Sequence, residues 1–460
     1  MSSSKNLLNP VTLMAAAIGF LLFLPDLDGF ASSFSLGPQL LTLLSNMDDV
    51  RVQTLYIKLT GLLLAGLALV GATRWLGNVW LKLFLIGTGA LIIYGWGLLF
   101  MHGLSLGMIL RTPSWLGLYL TALAAIATCS LARDSRILDG IALGMLGAGA
   151  VRLLYGVYSY RRYGGYQIFE GIPALAMDGG LLILWAVIAV WAGLQAVRYF
   201  HLRLYGKSFL LVLVTAVFTA AVAASFRRTA MLILLGNLGL AAVIYSWFRN
   251  RLAAGIIWVG GMSLAMIAGL FLVMAVVFGF TMASERVFSL GSANSANSFG
   301  NSNEAYLDDQ AALKESLKSS SFLGVGPGMS YGVIRMADDF SNEGVIPLHI
   351  GTGDLWATTG AAGMAYHLVF LIGLPVICLR AYRRNPAGSE RSLVAVAASY
   401  VLFTNLWPFA PPFYTNIQAS LIMGFCFGYI LHFANESSIR SRPTRERVVT
   451  PFVRAPRVNA

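Results

Sequence analysis

Charge is what this sequence has least of. Asp, Glu, Lys and Arg make up 11 % of 460 residues, against roughly 25 % in an ordinary soluble domain. A chain so poor in charge has too little polar surface to cover a water-soluble globule, so most of it must face something other than water. Cysteine is also scarce. The three present, Cys129, Cys378 and Cys426, all fall inside apolar runs, which argues against a disulfide framework or a cysteine metal site. Histidine occurs five times. No small-residue cleavage site follows the first apolar run, Val11 to Leu24, before "PDLDGF". That run is therefore expected to stay as a span and not to be removed as a signal peptide.

What fills the chain instead is hydrophobic sequence, 57 % of it. Apolar stretches of about 20 residues recur from end to end, each long enough to cross a bilayer core as a helix. Short alternating segments, the mark of a transmembrane β-barrel, are lacking. The expected fold class is an all-α polytopic membrane protein with about twelve transmembrane helices: 11–25, 54–73, 83–101, 115–132, 137–155, 173–197, 208–226, 229–247, 253–280, 355–379, 392–408 and 415–433. Four regions follow: nine spans in 1–281, one large loop in 282–354, three spans in 355–433, and a basic, disordered tail in 434–460.

Loop charge sets the orientation. With the N-terminus in the cytoplasm, "RDSR" (133–136), "RYFHLRLYGK" (198–207), "RNR" (249–251), "RAYRRNPAGSER" (380–391) and the arginine-rich tail all lie inside, and most acids lie outside. The net charge of +12 is then a topology signal, and nucleic acid is not an expected partner. The tail is placed against anionic membrane lipid. Both termini are then expected in the cytoplasm, and the large loop on the opposite, extracytoplasmic side.

Several arginines break this bias. Arg227 and Arg228, in "SFRRTAML", sit between spans 7 and 8 at the outer face. Arg161 and Arg162 lie among tyrosines in "YSYRRYGGYQ", Arg286 opens the large loop, and Arg152 lies near the outer end of span 5. Arginines at this level either snorkel to lipid phosphate or bind an anion, for which the guanidinium fork is suited. The loop itself has three parts. A Ser/Asn/Gly linker covers 289–303. "EAYLDDQAALKESLKSS" follows, with Tyr306, Leu313 and Leu317 on one helical face. "FLGVGPGMSYG" comes next, where Gly324, Gly326 and Gly328 let backbone pass close to a neighbour or ligand, or make a tight turn. Asp338, Asp339 and Glu343 are too loosely spaced for a metal site and read as a solvated acidic loop.

The loop ends in "HIGTGDLWATTGAAG", His349 to Gly363. His349 borders water at the outer face, follows the Gly-rich turn and shares that face with the arginines. Imidazole titrates near neutrality and can take or orient a hydroxyl proton. Arginines can stabilise a pyrophosphate leaving group as its charge develops.

Taken together, "SFRRTAML", "GVGPGM" and "HIGTGDLWATTGAAG" resemble motifs of the bacterial O-antigen ligase and polymerase superfamily: an arginine opening a span, a GvGxG turn, then a histidine with an acid five residues on and G-x-x-G beginning eleven residues on. Asp354, Gly360 and Gly363 occupy those offsets. The motif-bearing likeness covers about 208–380. It implies a GT-C-like, metal-independent glycosyltransferase of the bacterial inner membrane, with no cofactor and an active site facing the periplasm. The donor would be a glycan on undecaprenyl diphosphate and the acceptor a hydroxyl of lipid A-core. Within that resemblance His349 is the catalytic residue. Arg228, with Arg227 beside it, and Arg286 bind the diphosphate, and Arg161, Arg162, Asp354, Gly326 and Gly328 are further candidates for substrate binding. Two departures stand out. Ile350 follows the histidine where the family often has Asn or Ser, and Arg286 lies earlier in the loop than the family's second arginine. A polymerase that extends lipid-linked repeats from a glycan acceptor is the alternative, and a polysaccharide transporter a more distant one.

Overall fold

The computed structural model describes residues 9–24, 50–70, 76–103, 113–132, 134–164, 166–169, 172–175, 179–225, 228–247, 268–269, 271–272, 275–276, 322–324, 326, 351–384, 388–406 and 417–435. Among them are eleven long helices and one small hairpin: α1 Pro10–Phe23, α2 Val50–Val70, α3 Val79–Met101, α4 Pro113–Leu131, α5 Ser135–Tyr163, β1 Tyr166–Phe169, β2 Ile172–Ala174, α6 Gly179–His201, α7 Tyr205–Ala223, α8 Arg228–Trp247, α9 Gly351–Arg384, α10 Gly388–Leu406 and α11 Ile417–Ala434. Five of these helices contain stretches long and apolar enough to cross a membrane by length and composition: Val79–Met101, Arg136–Arg162, Leu181–His201, Tyr205–Ala223 and Thr358–Arg384. The chain is a multi-pass, largely α-helical membrane protein. Most of the expected span over 253–280, the linker, the amphipathic segment and the tail beyond Asn435 lie outside the described residues.

Lipid tails are as apolar as leucine, so association between spans needs close packing in place of hydrophobic burial. Two helix pairs achieve it with glycines four residues apart. Gly140 and Gly144 of α5 face α1, where a Cβ on Gly140 would meet the Thr12 carbonyl oxygen at 2.5 Å and one on Gly144 would strike the Ala16 carbonyl oxygen. Gly19 of α1 returns the contact against Ile141. Gly424 and Gly428 of α11 lie in the same way on Thr121, Ala124 and Ala125 of α4, and the Thr121 hydroxyl donates to the Ser420 carbonyl at 3.1 Å.

The middle of the bundle is formed by α6, α10 and α11. From Val394 to Val401 every residue of α10 is buried, as expected for a helix surrounded on all sides. Trp185 of α6 is fully buried and donates its indole N–H to the Gly149 carbonyl of α5 at 3.1 Å. By contrast α3, α7 and the later part of α9 carry exposed Leu83, Ile86, Ile93, Phe209, Leu210, Val369 and Ile372, the surface that lipid would cover.

Buried polar groups tie the helix ends together. Asn78, 1 % exposed, caps α3 by accepting from Leu81 N–H at 3.1 Å. It also donates to the Leu431 carbonyl at 2.9 Å and to Cys129 Sγ at 3.2 Å, joining α3, α4 and α11. Arg380 and Arg384 of α9 both donate to the Ala434 carbonyl, at 3.2 and 2.9 Å. They thus satisfy an orphan group at the end of α11.

Several helices begin three or four residues before their expected limits, among them Val50–Val70, Val79–Met101 and Gly388–Leu406, and three depart in ways that bear on the site. The α5 helix continues to Tyr163, two turns past the expected end at 155, because no breaker intervenes. It stops at Gly164, whose φ of 77° supplies the left-handed cap. Arg161 and Arg162 therefore lie in its last turn and not in a loop. Residues 172–174 belong to β2, which pairs antiparallel with β1, so α6 starts at Gly179 instead of 173. The α9 helix starts at Gly351, four residues before the expected 355, and runs on to Arg384.

Candidate functional site

The most distinctive feature at the end of the bundle opposite the basic turns is a broken helix. Gly360 interrupts α9 with φ 58° and ψ −144°, a conformation open essentially to glycine alone. A break in a span leaves backbone groups without their helical partners, which is costly away from water. Here the segment Phe322–Gly326 fills the gap. Ala361 N–H donates to the Phe322 carbonyl at 3.0 Å, and Gly326 N–H donates to the Thr358 carbonyl at 2.8 Å. Backbone lies on backbone: a Cβ on Gly324 would meet Gly360 N at 2.6 Å and Thr358 O at 2.7 Å. The close approach expected for these glycines is thus made to the chain itself, and the Gly326 N–H is engaged there.

Aromatic side chains hold the clamped turn. Tyr94 of α3 donates its hydroxyl to the Leu323 carbonyl at 2.8 Å. Trp96 donates to the Tyr119 hydroxyl of α4 at 2.9 Å. Leu355, Leu91, Ile92 and Leu118 form a small buried cluster with Trp96, Tyr119 and Tyr366 around it. Deeper in the bundle, the Tyr366 and Thr88 hydroxyls are 2.8 Å apart. The early part of α9 is therefore held at Leu355 and Thr358 by α3, α4 and the clamped turn.

That early part carries the motif. Asp354 lies on the first turn of α9, and His349 precedes the helix by two residues. Arg228 is the first residue of α8. The positions of His349, Arg227, Arg286 and Gly328 lie outside the described residues, as do the side chains of Asp354 and Arg228. Arg161 and Arg162 are exposed at the C-terminal end of α5, where positive charge complements the helix dipole. Arg162 donates to the Tyr158 hydroxyl one turn back at 2.7 Å and its guanidinium stacks over that ring at 5.9 Å. At the same end, Leu175 N–H donates to the Ala224 carbonyl at 3.0 Å, which ties the hairpin to the turn that leads into Arg228.

Three polar residues inside spans extend the sequence reading. Arg152 is only 4 % exposed, on the α5 face shared with Gly149 and Gly156, which abut Ile188, Phe218 and Leu175. Asn237 of α8 is 1 % exposed, and neither side-chain polar atom has a hydrogen-bond partner among the described residues. His367 of α9 likewise has an unpartnered, buried Nε2. Polar groups inside a membrane are costly and mark function by default. The signal for Asn237 and His367 was their isolation within apolar runs.

Compared with protein-family models and with curated proteins, the chain has no match in either.

Proposed function

We propose that this protein is a membrane glycosyltransferase of the O-antigen ligase type. It spans the inner membrane about twelve times, with both termini in the cytoplasm. At the periplasmic face it moves a glycan from undecaprenyl diphosphate to a hydroxyl of lipid A-core. His349 serves the acceptor hydroxyl, Arg228 and Arg286 hold the diphosphate, and no metal takes part. The observation that supports this reading is the clamp at Gly360. It joins the glycine turn and the helix that follows His349 into one unit, so two stretches of the motif set that are separate in sequence support one site. A scaffold of this rigidity suits a base that must be held within hydrogen-bond reach of its substrate.

The test is a gel of surface and lipid-linked glycans from a strain lacking the gene, complemented with wild type or His349→Ala. Long glycan stranded on the carrier, with bare core outside, is expected for a ligase. Single repeats capping the core would identify a polymerase of the same chemistry. Full rescue by a stably expressed His349→Ala variant would remove the base from the scheme.

A further inference from the structure

The bundle holds a second site-like feature at its opposite, basic end. An apolar cavity of about 130 Å³ lies among α4, α5, α6, α10 and α11. Leu138, Trp191 and Leu393 line it toward the basic end, and Ile422, Phe425 and Cys426 line it toward the bundle centre. Its walls run from Leu138 to Leu146 on α5 and from Ile422 to Tyr429 on α11, about 12 Å at the rise of a helix. That is most of one leaflet's hydrocarbon depth, about 15 Å. An apolar cavity of this size stays dry and takes an apolar guest.

The mouth is polar and cationic. Leu393 adjoins Ser392, whose hydroxyl accepts from Gln195 Nε2 at 2.8 Å, and Gln195 Oε1 accepts from Arg198 Nη1 at 3.2 Å. Gln195 lies one helical turn beyond Trp191, so this relay sits directly above the cavity. The Arg198 guanidinium and the Lys207 ammonium both approach the Tyr199 ring, at 5.6 and 5.7 Å. Arg198 thus reaches the mouth through Gln195 and Ser392, and Lys207 shares the Tyr199 ring with it.

We infer that this cavity binds one anionic phospholipid of the cytoplasmic leaflet, its phosphate at Arg198 and Lys207 and the inner part of one acyl chain in the slot. Charge complementarity selects the lipid; the apolar walls select its chain and exclude a water-soluble anion. The site stands apart from the proposed transfer reaction and does not depend on it.

The test uses the full chain in lipid nanodiscs with phosphatidylglycerol bearing a photoreactive group on its acyl chain, and phosphatidylcholine with the same chain as control. Crosslinks are expected on peptides containing Met145 and Cys426, with a preference for phosphatidylglycerol on the order of fivefold per cation. Arg198→Gln with Lys207→Gln should bring the two lipids level, and Ala142→Phe, which fills the slot from its half-exposed wall, should remove the crosslinks. A second measurement needs no cavity variant: in a chain with Cys129→Ala and Cys378→Ala, phosphatidylglycerol should slow alkylation of Cys426 by a membrane-permeant maleimide several-fold. Equal labelling by both lipids in the wild type, crosslinks that persist in Ala142→Phe, or an alkylation rate indifferent to phosphatidylglycerol would overturn the proposal.

Discussion

Replacing Gly360 by alanine should release the clamped turn while leaving the bundle assembled. The native φ and ψ at this position cost a non-glycine residue roughly 1–3 kcal/mol, and its Cβ would strike the Phe322 carbonyl oxygen. Straightening α9 relieves both, since Ala361 N–H then finds a partner within its own helix. The turn loses its two backbone bonds to the helix, each worth about 0.5–1.5 kcal/mol net. Wild type loses the same two bonds when the turn opens, so only the strain in the clamped state separates the two proteins: the local opening free energy should fall by about 1–3 kcal/mol, at least about a fivefold loss of amide protection. Hydrogen–deuterium exchange on the peptide that covers 322–326 reads this directly. Gly373→Ala is the control in the same helix: a Cβ there meets nothing within 4 Å, and alanine is the better helix former. Unchanged protection in Gly360→Ala, or an equal loss in Gly373→Ala, would refute the account of the break. If the turn supports His349, the Gly360 variant should also fail in the glycan assay at normal expression.

Gly144→Leu and Gly428→Leu should each separate a tight helix pair and lower the melting temperature in detergent, with Gly66→Leu, where space is open, nearly neutral. Arg228→Ala should abolish glycan transfer, and Arg162→Ala should leave most of it, because Arg162 is held by Tyr158 on its own helix. Transfer by the purified protein should persist after thorough chelation; a loss restored by a divalent ion would overturn the metal-free scheme.

Much of the helix order was legible because each span is a long apolar run punctuated by charged turns. The ends were less so. Hydropathy marks where lipid begins, whereas a helix ends where a cap stops it, so α5 carries Arg161 and Arg162 past the apolar limit to Gly164. The hairpin of β1 and β2 was hidden in an expected loop and the start of the span expected from 173, because strands of four and three residues give no periodic signal of their own. At the site, the alternating glycines announced a close approach but not its partner. Gly360 was noted only as one of two spaced glycines, and its role depends on residues 34 to 38 positions earlier in the chain. Asn237 and His367 were passed over because a single polar residue hardly alters the hydropathy of a run of twenty.

The two glycine-stripe pairs have a consequence for how the protein is made. The stripe on α11 fits α4, and almost two thirds of the chain is synthesised between them. At about 5–20 residues per second, α4 waits on the order of half a minute in the membrane with its docking face uncovered. The α1 helix waits more briefly for α5. During that interval the small-residue faces are open to any neighbouring span, so the order of synthesis makes the insertion machinery, or a lipid, the natural temporary companion of α4 until the last helix arrives to complete the bundle.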